Sequence, residues 1–361
     1  MKIALVYDYL NQFGGGERVL QTLLLMFPRA PLYTLFHDEK KTNGCFRGRV
    51  TATSFLDWPL VRRYHRAFIP LMPRAAQSIN LRNYFNLIIS VGAGYAKGIT
   101  HSPATKHLHY CLSPLRYAWE RSYLDSYSNV FKNMGILLSP IIAYLKNWDY
   151  EMAQKPDWIL ADSQFIAGKI RNYYGREAAV IYPPVDLKKF YFDPGIQKKD
   201  YFLAVGRLLH YKKFDLIVRA FNQLSLPLLI AGQGPEEKRL KQLAASSRIQ
   251  FLGAVSDEIL RRLYQEAQAI IFPQTEDFGL TAVEAQACGT PVIAFRAGGA
   301  LETVKDGETG LFFEEPTAES LTAAVFELGQ RRFEPRSISQ AAAPFSLDNF
   351  KEKFYNQIRY V

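Results

Sequence analysis

Strand-like and helix-like segments alternate along the second half of the chain, and this alternation constrains the fold more than any other feature. Short apolar runs predict strands at Tyr201–Val205, Pro227–Ala231, Ile249–Leu252, Ala269–Phe272, Pro291–Ala294 and Gly310–Phe313. Helix-like segments lie between or after them, at Phe214–Leu224, Glu236–Ser246, Asp257–Glu266, Gly279–Ala287 and Ala318–Gly329. Repeated βα units predict a parallel, doubly wound sheet.

The first half of the chain begins with the same kind of unit. The apolar run Lys2–Tyr7 is followed by the glycine turn Gly14-Gly15-Gly16 and by a helix-like segment, Glu17–Phe27. Further strand candidates are Leu87–Val91 and Trp158–Ala161. Strand, glycine turn and helix form the start of a βαβ unit, so a second α/β domain is expected here.

A length of 361 residues suits two domains rather than one core. The double proline in Ile181–Asp186 forces an extended path, and we place the boundary there. The predicted fold class is α/β, with two Rossmann-like doubly wound domains at residues 1–185 and 186–345 facing each other across a cleft. The amphipathic segment within residues 346–361 is predicted to be a helix that packs back on the first domain.

The positive charge of the chain is confined to its first half. Residues 1–185 contain 22 Lys and Arg against 12 Asp and Glu, whereas residues 186–361 contain 22 of each, which accounts for the net charge of +10. This asymmetry indicates an anionic partner such as a membrane surface, a phosphate-bearing acceptor or nucleic acid. The aromatic and basic stretch Arg62–Pro70 favours contact with an anionic membrane. Nucleic acid is not expected, because no recognised nucleic-acid-binding motif is present.

Targeting and redox features favour a cytoplasmic protein, with peripheral contact to the inner face of the membrane. The chain opens directly on a strand, so no signal peptide is expected. The longest apolar run, Met134–Leu145, contains Pro140 and is too short to span a bilayer. The scattered Cys45, Cys111 and Cys288 are predicted to be buried, reduced thiols rather than a disulfide framework or a zinc site.

Two cations follow the first strand of the second half. Gly206 and Arg207 come directly after this strand, and Lys212 lies five residues beyond Arg207, before a helix. A guanidinium binds phosphate with a bidentate fork, an ammonium binds it as a point charge, and a helix start adds positive dipole. The spacing predicts a diphosphate clamp, although solvated surface charge is the plainer interpretation of these residues taken alone.

Two carboxylates follow the fourth strand of the second half. Glu276 lies at the carboxyl end of this strand, and Glu284 lies eight residues further along, within the next predicted helix. Gly279, between them, lets backbone amides approach a ligand closely. Carboxylates placed in this way can accept hydrogen bonds from vicinal sugar hydroxyls, although paired glutamates are also common on exposed helices.

Taken together, these segments resemble the donor-binding domain of retaining GT4-type glycosyltransferases with the GT-B fold. The resemblance covers residues 201–315 through Val205–Leu208 with Lys212, Glu276–Ala285, Gly289–Ala294 and Gly298-Gly299. The first half is similar to the same family through shorter motifs, at Gly14–Arg18, His109–Cys111, Ser113–Trp119 and Ala161–Phe165. The chain is similar in particular to bacterial mannosyltransferases of O-antigen and other surface polysaccharides.

The resemblance implies a role for each matching residue. The family's catalytic groups correspond to Arg207 and Lys212, which would neutralise the donor diphosphate, and to Glu276, which would bind hydroxyls of the transferred hexose. The remaining donor contacts correspond to Glu284 at the ribose, the amides of Phe278, Gly279 and Leu280 at the hexose, Gly206, and Gly15 with Gly16 in the first domain. The base would rest near residues 253–257.

On the acceptor side, the resemblance points to His109, Arg116 and Tyr117. The family has a histidine between Cys111 and Ser113, where this chain has Leu112. This departure leaves open a catalytically silent, glycosyltransferase-like subunit that binds nucleotide or a partner. A nucleotide-sugar epimerase or a glycogen-type synthase of the same fold is the other alternative.

The implied donor is a nucleotide sugar, with GDP-mannose favoured and UDP-sugars next, and the implied acceptor is a glycan, for example one linked to a polyprenyl diphosphate. No cofactor is expected. The chain contains no Asp-x-Asp motif, and Asp149-Tyr150-Glu151 is predicted to be the polar face of a helix. Because Arg207 and Lys212 can neutralise the leaving diphosphate, we expect no essential metal ion.

Overall fold

The computed structural model describes residues 1–81, 85–120 and 135–359. The chain divides into two compact units. Unit 1 contains Met1–Tyr182 and the chain from Lys351 onwards, and unit 2 contains Pro183–Phe350.

Unit 1 is built on a seven-stranded sheet in which all paired strands are parallel. Its strands are β1 Ile3–Tyr7, β2 Leu32–Thr34, β3 Val50–Thr53, β4 Leu87–Gly92, β5 Lys106–Cys111, β6 Trp158–Ala161 and β7 Ala179–Val180. Its described helices are α1 Gly15–Met26, α2 Pro59–Tyr64, α3 Met72–Ser78, α4 Arg116–Trp119, α5 Gly135–Ala153 and α6 Gln164–Tyr174, with 3₁₀ turns at His65–Leu71 and Ala96–Gly98. The strand order is β3-β2-β1-β4-β5-β6-β7.

Unit 2 is built on a six-stranded parallel sheet. Its strands are β8 Phe202–Val205, β9 Leu228–Ala231, β10 Ile249–Gly253, β11 Ile270–Phe272, β12 Val292–Phe295 and β13 Gly310–Phe313. Its helices are α7 Phe214–Leu224, α8 Glu237–Leu243, α9 Asp257–Glu266, α10 Leu280–Ala287, α11 Ala300–Thr303, α12 Ala318–Gln330 and α13 Pro335–Ala341, with 3₁₀ turns at His210–Lys212 and Ala343–Phe345. The doubly wound fold predicted for this half is confirmed.

The strand order of unit 2 reverses between β8 and β11. The order is β10-β9-β8-β11-β12-β13, so the chain proceeds outward from β8 in one direction and then from β11 in the other. Leu203 of β8 pairs with Ile270 of β11 at this point. In open α/β sheets, ligands bind beside the carboxyl ends of the strands where the order reverses. The loops that follow β8 and β11 are therefore the place to look for a site.

The core of unit 2 explains why these helices form where they do. In α7, Phe214, Ile217, Val218 and Phe221 are buried and recur with helical spacing, so one face packs against the sheet. Helix α9 has its first turn capped by Ser256, whose hydroxyl accepts from the amide of Ile259 at 3.4 Å. Amphipathic faces and caps of this kind are what made the elements of this half predictable.

The last helix, α14 Leu347–Ile358, carries the chain from unit 2 into unit 1. Its Phe354 ring lies 6.4 Å from that of Phe27 and 6.2 Å from that of Tyr110, between ring centroids. The Tyr355 hydroxyl donates to the carbonyl of Met26 at 3.2 Å. Phe354 and Tyr355 of α14 therefore pack against residues of unit 1.

Two expectations about buried and exposed groups are wrong. Asp149 is fully buried in α5 rather than on a polar face, and it forms an ion pair with the equally buried Lys97 (Nζ to Oδ1, 2.5 Å). Trp119 and Tyr174 donate to its other oxygen at 2.8 and 2.7 Å. Cys45 is exposed, whereas Cys111 and Cys288 are buried, and all three are free thiols.

None of the helices in the described ranges combines the length and the apolar character needed to cross a bilayer. The apolar run predicted at Met134–Leu145 lies in α5 from Gly135 onwards and includes Pro140. Met134 itself lies outside the described residues.

Candidate functional site

The loop after β8 is shaped by glycines and presents Arg207 to solvent. A Cβ on Gly232, whose φ is +144°, would overlap the carbonyl oxygen of Gly206, so the loops after β8 and β9 touch backbone to backbone. The amide of Leu208 donates to the carbonyl of Gln233 at 2.9 Å. Arg207, between these anchored positions, is exposed.

Lys212 ends the 3₁₀ turn that leads into α7. The next residue, Lys213, has a φ of +57°, and this left-handed position redirects the chain into the helix at Phe214. The Lys212 ammonium donates to Oε1 of Glu276, in the loop after β11. The two side chains are only 16% and 15% exposed. Lys212 and Glu276 therefore meet where the strand order reverses.

The loop that carries Glu276 is held by the glycine turn after β12. Glu276 forms a parallel bridge with Gly298, and the amide of Gly299 donates to the Glu276 carbonyl at 2.9 Å. Gly298 has a φ of +63°, and a Cβ there would overlap that same carbonyl. The pair Gly298-Gly299, which the sequence marked as a third glycine segment, thus fixes the backbone of Glu276.

Helix α10 begins at Leu280, directly after Gly279. Gly279 has a φ of +97°, and a Cβ there would lie 2.8 Å from the Phe272 ring, so the tight turn requires glycine. Phe278 is buried, and its ring packs edge-on against Phe345 at 5.4 Å. The first amides of a helix have no acceptor within the helix, and the helix dipole makes this end favourable for anions and hydroxyl oxygens.

Glu284 lies in the second turn of α10 and is buried. Its Oε2 accepts a hydrogen bond of 3.2 Å from the hydroxyl of Tyr264 in α9. Cys288 follows one turn later, and burial, followed by the charge of Glu284, raises the pKa of its thiol to about 12. Sequence reasoning did not identify Tyr264; the only signal for it is a tyrosine on the inward face of the helix before β11.

Gly15 and Gly16 form the start of α1 in unit 1. Glu17 caps this start by accepting from the amide of Gly14 at 2.8 Å and from the hydroxyl of Tyr7 at 3.0 Å. A Cβ on Gly16 would lie 2.6 Å from that hydroxyl and 2.8 Å from Cδ1 of Leu112. Leu112, where the family has histidine, therefore packs directly against the glycine turn.

The structure argues against an acceptor-side role for His109. Its side chain is fully buried in β5, where Nδ1 lies 2.9 Å from the hydroxyl of Ser90, and burial keeps its pKa well below the usual value. A histidine with no exposed surface does not touch an acceptor, so we leave it out of the proposed site. Arg116 and Tyr117 are half-buried in α4, with Arg116 Nε donating to the Ser113 hydroxyl at 3.3 Å.

Within residues 1–81, 85–120 and 135–359, no three His, Cys, Asp or Glu side chains cluster closely enough to hold a metal ion. The charged groups around the end of β8 are instead the cations of Arg207 and Lys212 and the carboxylate of Glu276. An arrangement of this kind can bind a phosphate-bearing ligand that also carries hydroxyl groups.

Comparison with known proteins finds sequence similarity to glycosyltransferases. Residues 188–343 match the family model of glycosyl transferases group 1. A D-inositol 3-phosphate glycosyltransferase of Mycobacterium sp. (strain JLS) is 32% identical in an alignment of 188 residues that covers 45% of this chain and 42% of that protein. An uncharacterized glycosyltransferase of Methanocaldococcus jannaschii is 33% identical in an alignment of 132 residues that covers 34% of each chain. The matched parts span less than half of these relatives.

Comparison of structures extends the similarity of fold to the whole chain. HepE of Anabaena, solved in complex with UDP, superposes with a TM-score of 0.71 at 17% identity and covers 100% of both chains. Sucrose-phosphate synthase of Thermosynechococcus elongatus has a TM-score of 0.75 at 18% identity and covers 100% of this chain and 99% of its own. Residues 188–343 are therefore similar to glycosyl transferases group 1, and the chain has the two Rossmann-like α/β domains of the GT-B fold.

Proposed function

We propose that this protein is a retaining glycosyltransferase that uses a nucleotide-sugar donor, and that unit 2 binds this donor. One observation carries the proposal: Lys212 contacts Glu276 between the loops after β8 and β11, where the strand order reverses. A cation and a carboxylate at this point match the two ends of a sugar diphosphate, since the phosphates need positive charge and the sugar needs hydrogen-bond acceptors.

Arg207 and Lys212 bind the donor diphosphate in this proposal. Arg207 is exposed, so its fork can reach phosphate oxygens without desolvation of a buried group. Lys212 is already positioned by Glu276, which limits the conformational freedom that it must lose when a ligand binds. Both cations would also stabilise the charge that develops on the departing nucleoside diphosphate, so no metal ion is required.

Glu276 and Glu284 bind hydroxyl groups at the two ends of the donor. Glu276, together with the amides of Phe278, Gly279 and Leu280 at the start of α10, would accept from and donate to the hexose hydroxyls. Glu284 lies one turn into α10, and its carboxylate, oriented by Tyr264, would accept from the ribose hydroxyls. The loop after β10, which begins at Gly253, would lie beside the base.

The proposed reaction breaks the bond between C1 of the hexose and the phosphate oxygen and forms a bond between C1 and an acceptor hydroxyl oxygen on the same face of the sugar. The acceptor proton passes to the departing phosphate. The transition state carries positive charge on the sugar and negative charge on the leaving diphosphate, and Arg207 and Lys212 stabilise the latter.

For the donor we propose GDP-mannose, from the resemblance of the first domain to mannosyltransferases. HepE, which has the same fold, was solved with UDP-glucose as well as UDP, and this favours a UDP-sugar as the second candidate. The proposed acceptor is a glycan carried on a polyprenyl diphosphate, in the assembly of a cell-surface polysaccharide. The excess positive charge of residues 1–185 supports an anionic acceptor.

A thermal-shift comparison of GDP, UDP and ADP tests the donor site. A ligand at about 100 times its Kd raises stability by about 2.7 kcal/mol, so the preferred diphosphate should stand out clearly. GDP should give the largest shift, and a largest shift with UDP would redirect the donor assignment. No shift with any of the three would contradict the nucleotide site itself.

Turnover measurements then test the chemistry. Replacement of Arg207, Lys212 or Glu276 by alanine should slow donor hydrolysis and sugar transfer by roughly 100-fold or more, as expected for loss of a preorganised electrostatic contact. Arg219→Ala, an exposed cation on α7, is the matched control and should leave the rate unchanged. Unchanged turnover in the three site variants would reject the assignment. Nucleotide binding without any hydrolysis or transfer would instead identify a silent subunit.

A further inference from the structure

The segment between β3 and α3 exposes aromatic and aliphatic side chains beside arginines. We define the 55–74 surface as Phe55–Arg74, which includes α2 and the 3₁₀ turn His65–Leu71. Its exposed large apolar residues are Phe55, Trp58, Leu60, Tyr64 and Leu71, with exposed fractions of 52, 65, 58, 51 and 40%. Apolar side chains exposed singly are ordinary, but five within one short stretch of chain mark an interaction surface.

The net charge of this surface is positive. The segment contains one acidic residue, Asp57, and four arginines, Arg62, Arg63, Arg66 and Arg74. The Asp57 carboxylate is already paired with Arg62 (Nε to Oδ1, 2.6 Å). Arg63, Arg66 and Arg74 are exposed. The acidic residues of the neighbouring loop are also neutralised, because Asp38 pairs with Lys41 and Glu39 pairs with Arg47.

The inner side of the segment anchors it to unit 1, so its outer side is fixed in orientation. Val61 is buried within α2, whereas Leu60 and Tyr64, which lie four residues apart on one side of this helix, are exposed. The His65 ring packs beside the stacked rings of Tyr9 and Phe36, with centroids 5.6 and 6.2 Å away. The segment is therefore an amphipathic element with a buried stripe and an exposed aromatic and basic face.

We propose that the 55–74 surface binds the face of a bilayer that contains anionic lipids. Tryptophan and tyrosine rings favour the depth of the lipid headgroups, and arginines add electrostatic attraction to anionic lipids. The five exposed apolar side chains supply the shallow hydrophobic contact of an interfacial element. The confinement of the whole positive excess to residues 1–185 complements the same negative surface. This proposal does not depend on the reaction or the donor assigned above.

Vesicle co-sedimentation with the full chain tests the proposal. The wild-type protein should bind vesicles of phosphatidylcholine mixed with phosphatidylglycerol, bind pure phosphatidylcholine vesicles much more weakly, and lose binding as salt is raised. Arg63→Ser with Arg66→Ser should weaken binding roughly 25-fold, since each basic residue near an anionic surface contributes about 1 kcal/mol and about 1.4 kcal/mol is a factor of ten. Trp58→Ser with Leu60→Ser should weaken binding at all salt concentrations.

Matched controls lie on unit 2. Phe326→Ser removes an apolar side chain that is 62% exposed, and Arg219→Ser with Arg332→Ser removes two exposed cations. These controls should bind vesicles as the wild type does. Nucleotide thermal shifts, measured on every variant, should be unchanged, which separates loss of lipid binding from misfolding and from failure of the donor site.

Three outcomes would overturn the proposal. The first is equal vesicle binding by the 55–74 variants and the controls. The second is no binding of the wild-type protein to anionic vesicles at low salt. The third is concentration-dependent self-association that Trp58→Ser with Leu60→Ser abolishes, which would identify a second copy of the chain as the occupant.

Discussion

The hydroxyl of Tyr264 donates to the Glu284 carboxylate at 3.2 Å and helps to orient it. Tyr264→Phe removes the hydroxyl and keeps the ring, which packs 5.9 Å from Phe190, so the fold should be retained. Loss of one hydrogen bond to a charged group costs about 1.5–3 kcal/mol. In the proposed donor site, this loss should raise the Kd of the preferred nucleoside diphosphate by roughly tenfold or more.

Isothermal titration with the ribo- and 2′-deoxyribonucleoside diphosphates checks this prediction. The wild-type protein should prefer the ribonucleotide, and Tyr264→Phe should reduce that preference. Tyr201→Phe is the control, because the Tyr201 hydroxyl donates to the carbonyl of Leu263 at 2.9 Å, away from Glu284. If Tyr264→Phe weakens both nucleotides equally, Glu284 does not contact the ribose.

Buried histidines in unit 1 make its stability depend on pH. Burial is the main cause that lowers the pKa of His65 to about 4 and that of His107 to about 3. The unfolded value is about 6.5, so these imidazoles stay neutral in the folded state while the unfolded chain takes up protons. Their stabilisation is complete above pH about 6.5 and is lost as the pH falls towards 4 and 3, by up to about 1.4 kcal/mol per pH unit for each histidine.

Urea unfolding followed by tryptophan fluorescence at pH 7 and pH 5 measures this loss. All four tryptophans, Trp58, Trp119, Trp148 and Trp158, lie in unit 1, so the signal reports this unit. We expect a lower midpoint at pH 5, with a smaller decrease in His107→Gln than in the wild type. An identical pH dependence in both proteins would exclude His107 as a source of the effect.

At the residue scale, the sequence predicted polar residues that follow strands but not polar residues that are buried. The positions of Arg207, Lys212 and Glu276 after strands could be predicted because alternating strands and helices place the loops that follow parallel strands at one edge of the sheet. Asp149 was misplaced because its burial depends on Lys97, 52 positions away, and on no local pattern. His109 was misplaced for the same reason, since its partner Ser90 lies on the adjacent strand β4.

At the scale of elements, unit 2 was more predictable than unit 1. Strands such as β13 and helices such as α7 and α9 were predicted with the boundaries that the structure shows. Strand β5 was not predicted as a strand, because histidines alternate with its apolar residues although every residue after Lys106 is buried. Strand β2 has only three residues, too few for a recognisable period.

The Lys97–Asp149 pair ties together several elements of unit 1, and its loss should destabilise this unit. Asp149 in α5 bonds to Lys97, to Trp119 of α4 and to Tyr174 of α6. Lys97→Met leaves a buried carboxylate without its cation, which typically costs about 3–5 kcal/mol. Tryptophan-monitored urea unfolding should show this loss, and Lys97→Met with Asp149→Asn should recover more than half of it.

An exposed pair gives the matched comparison. Lys106 and Asp157 form an ion pair as well (Nζ to Oδ1, 2.9 Å), but their side chains are 49% and 30% exposed. Lys106→Met should therefore cost no more than about 1 kcal/mol. Equal losses in Lys97→Met and Lys106→Met would show that burial does not determine the contribution of the first pair.

At the scale of the whole molecule, net charge and tryptophan content divide along the chain as the units do. Unit 1 has the positive excess and all four tryptophans, whereas the donor site proposed here belongs to unit 2. The sequence predicted a domain boundary from the double proline in Ile181–Asp186, and the charge count separately placed the positive excess in residues 1–185. Many contacts that stabilise each unit join residues far apart in sequence, as α14 does with Phe27 and Tyr110. Individual contacts of this kind could not be predicted from the sequence.

This division provides a test of where the nucleotide binds. Each unit has its own sheet and core, so unfolding need not follow a single two-state transition.

Circular dichroism reports both units, and tryptophan fluorescence reports unit 1. The preferred nucleoside diphosphate at about 100 times its Kd stabilises the unit that binds it by about 2.7 kcal/mol. We therefore expect a larger thermal shift by circular dichroism than by tryptophan fluorescence, and Lys212→Ala should remove this difference. Equal shifts with both probes would mean that binding stabilises unit 1 as much as unit 2, which would contradict a donor site confined to unit 2.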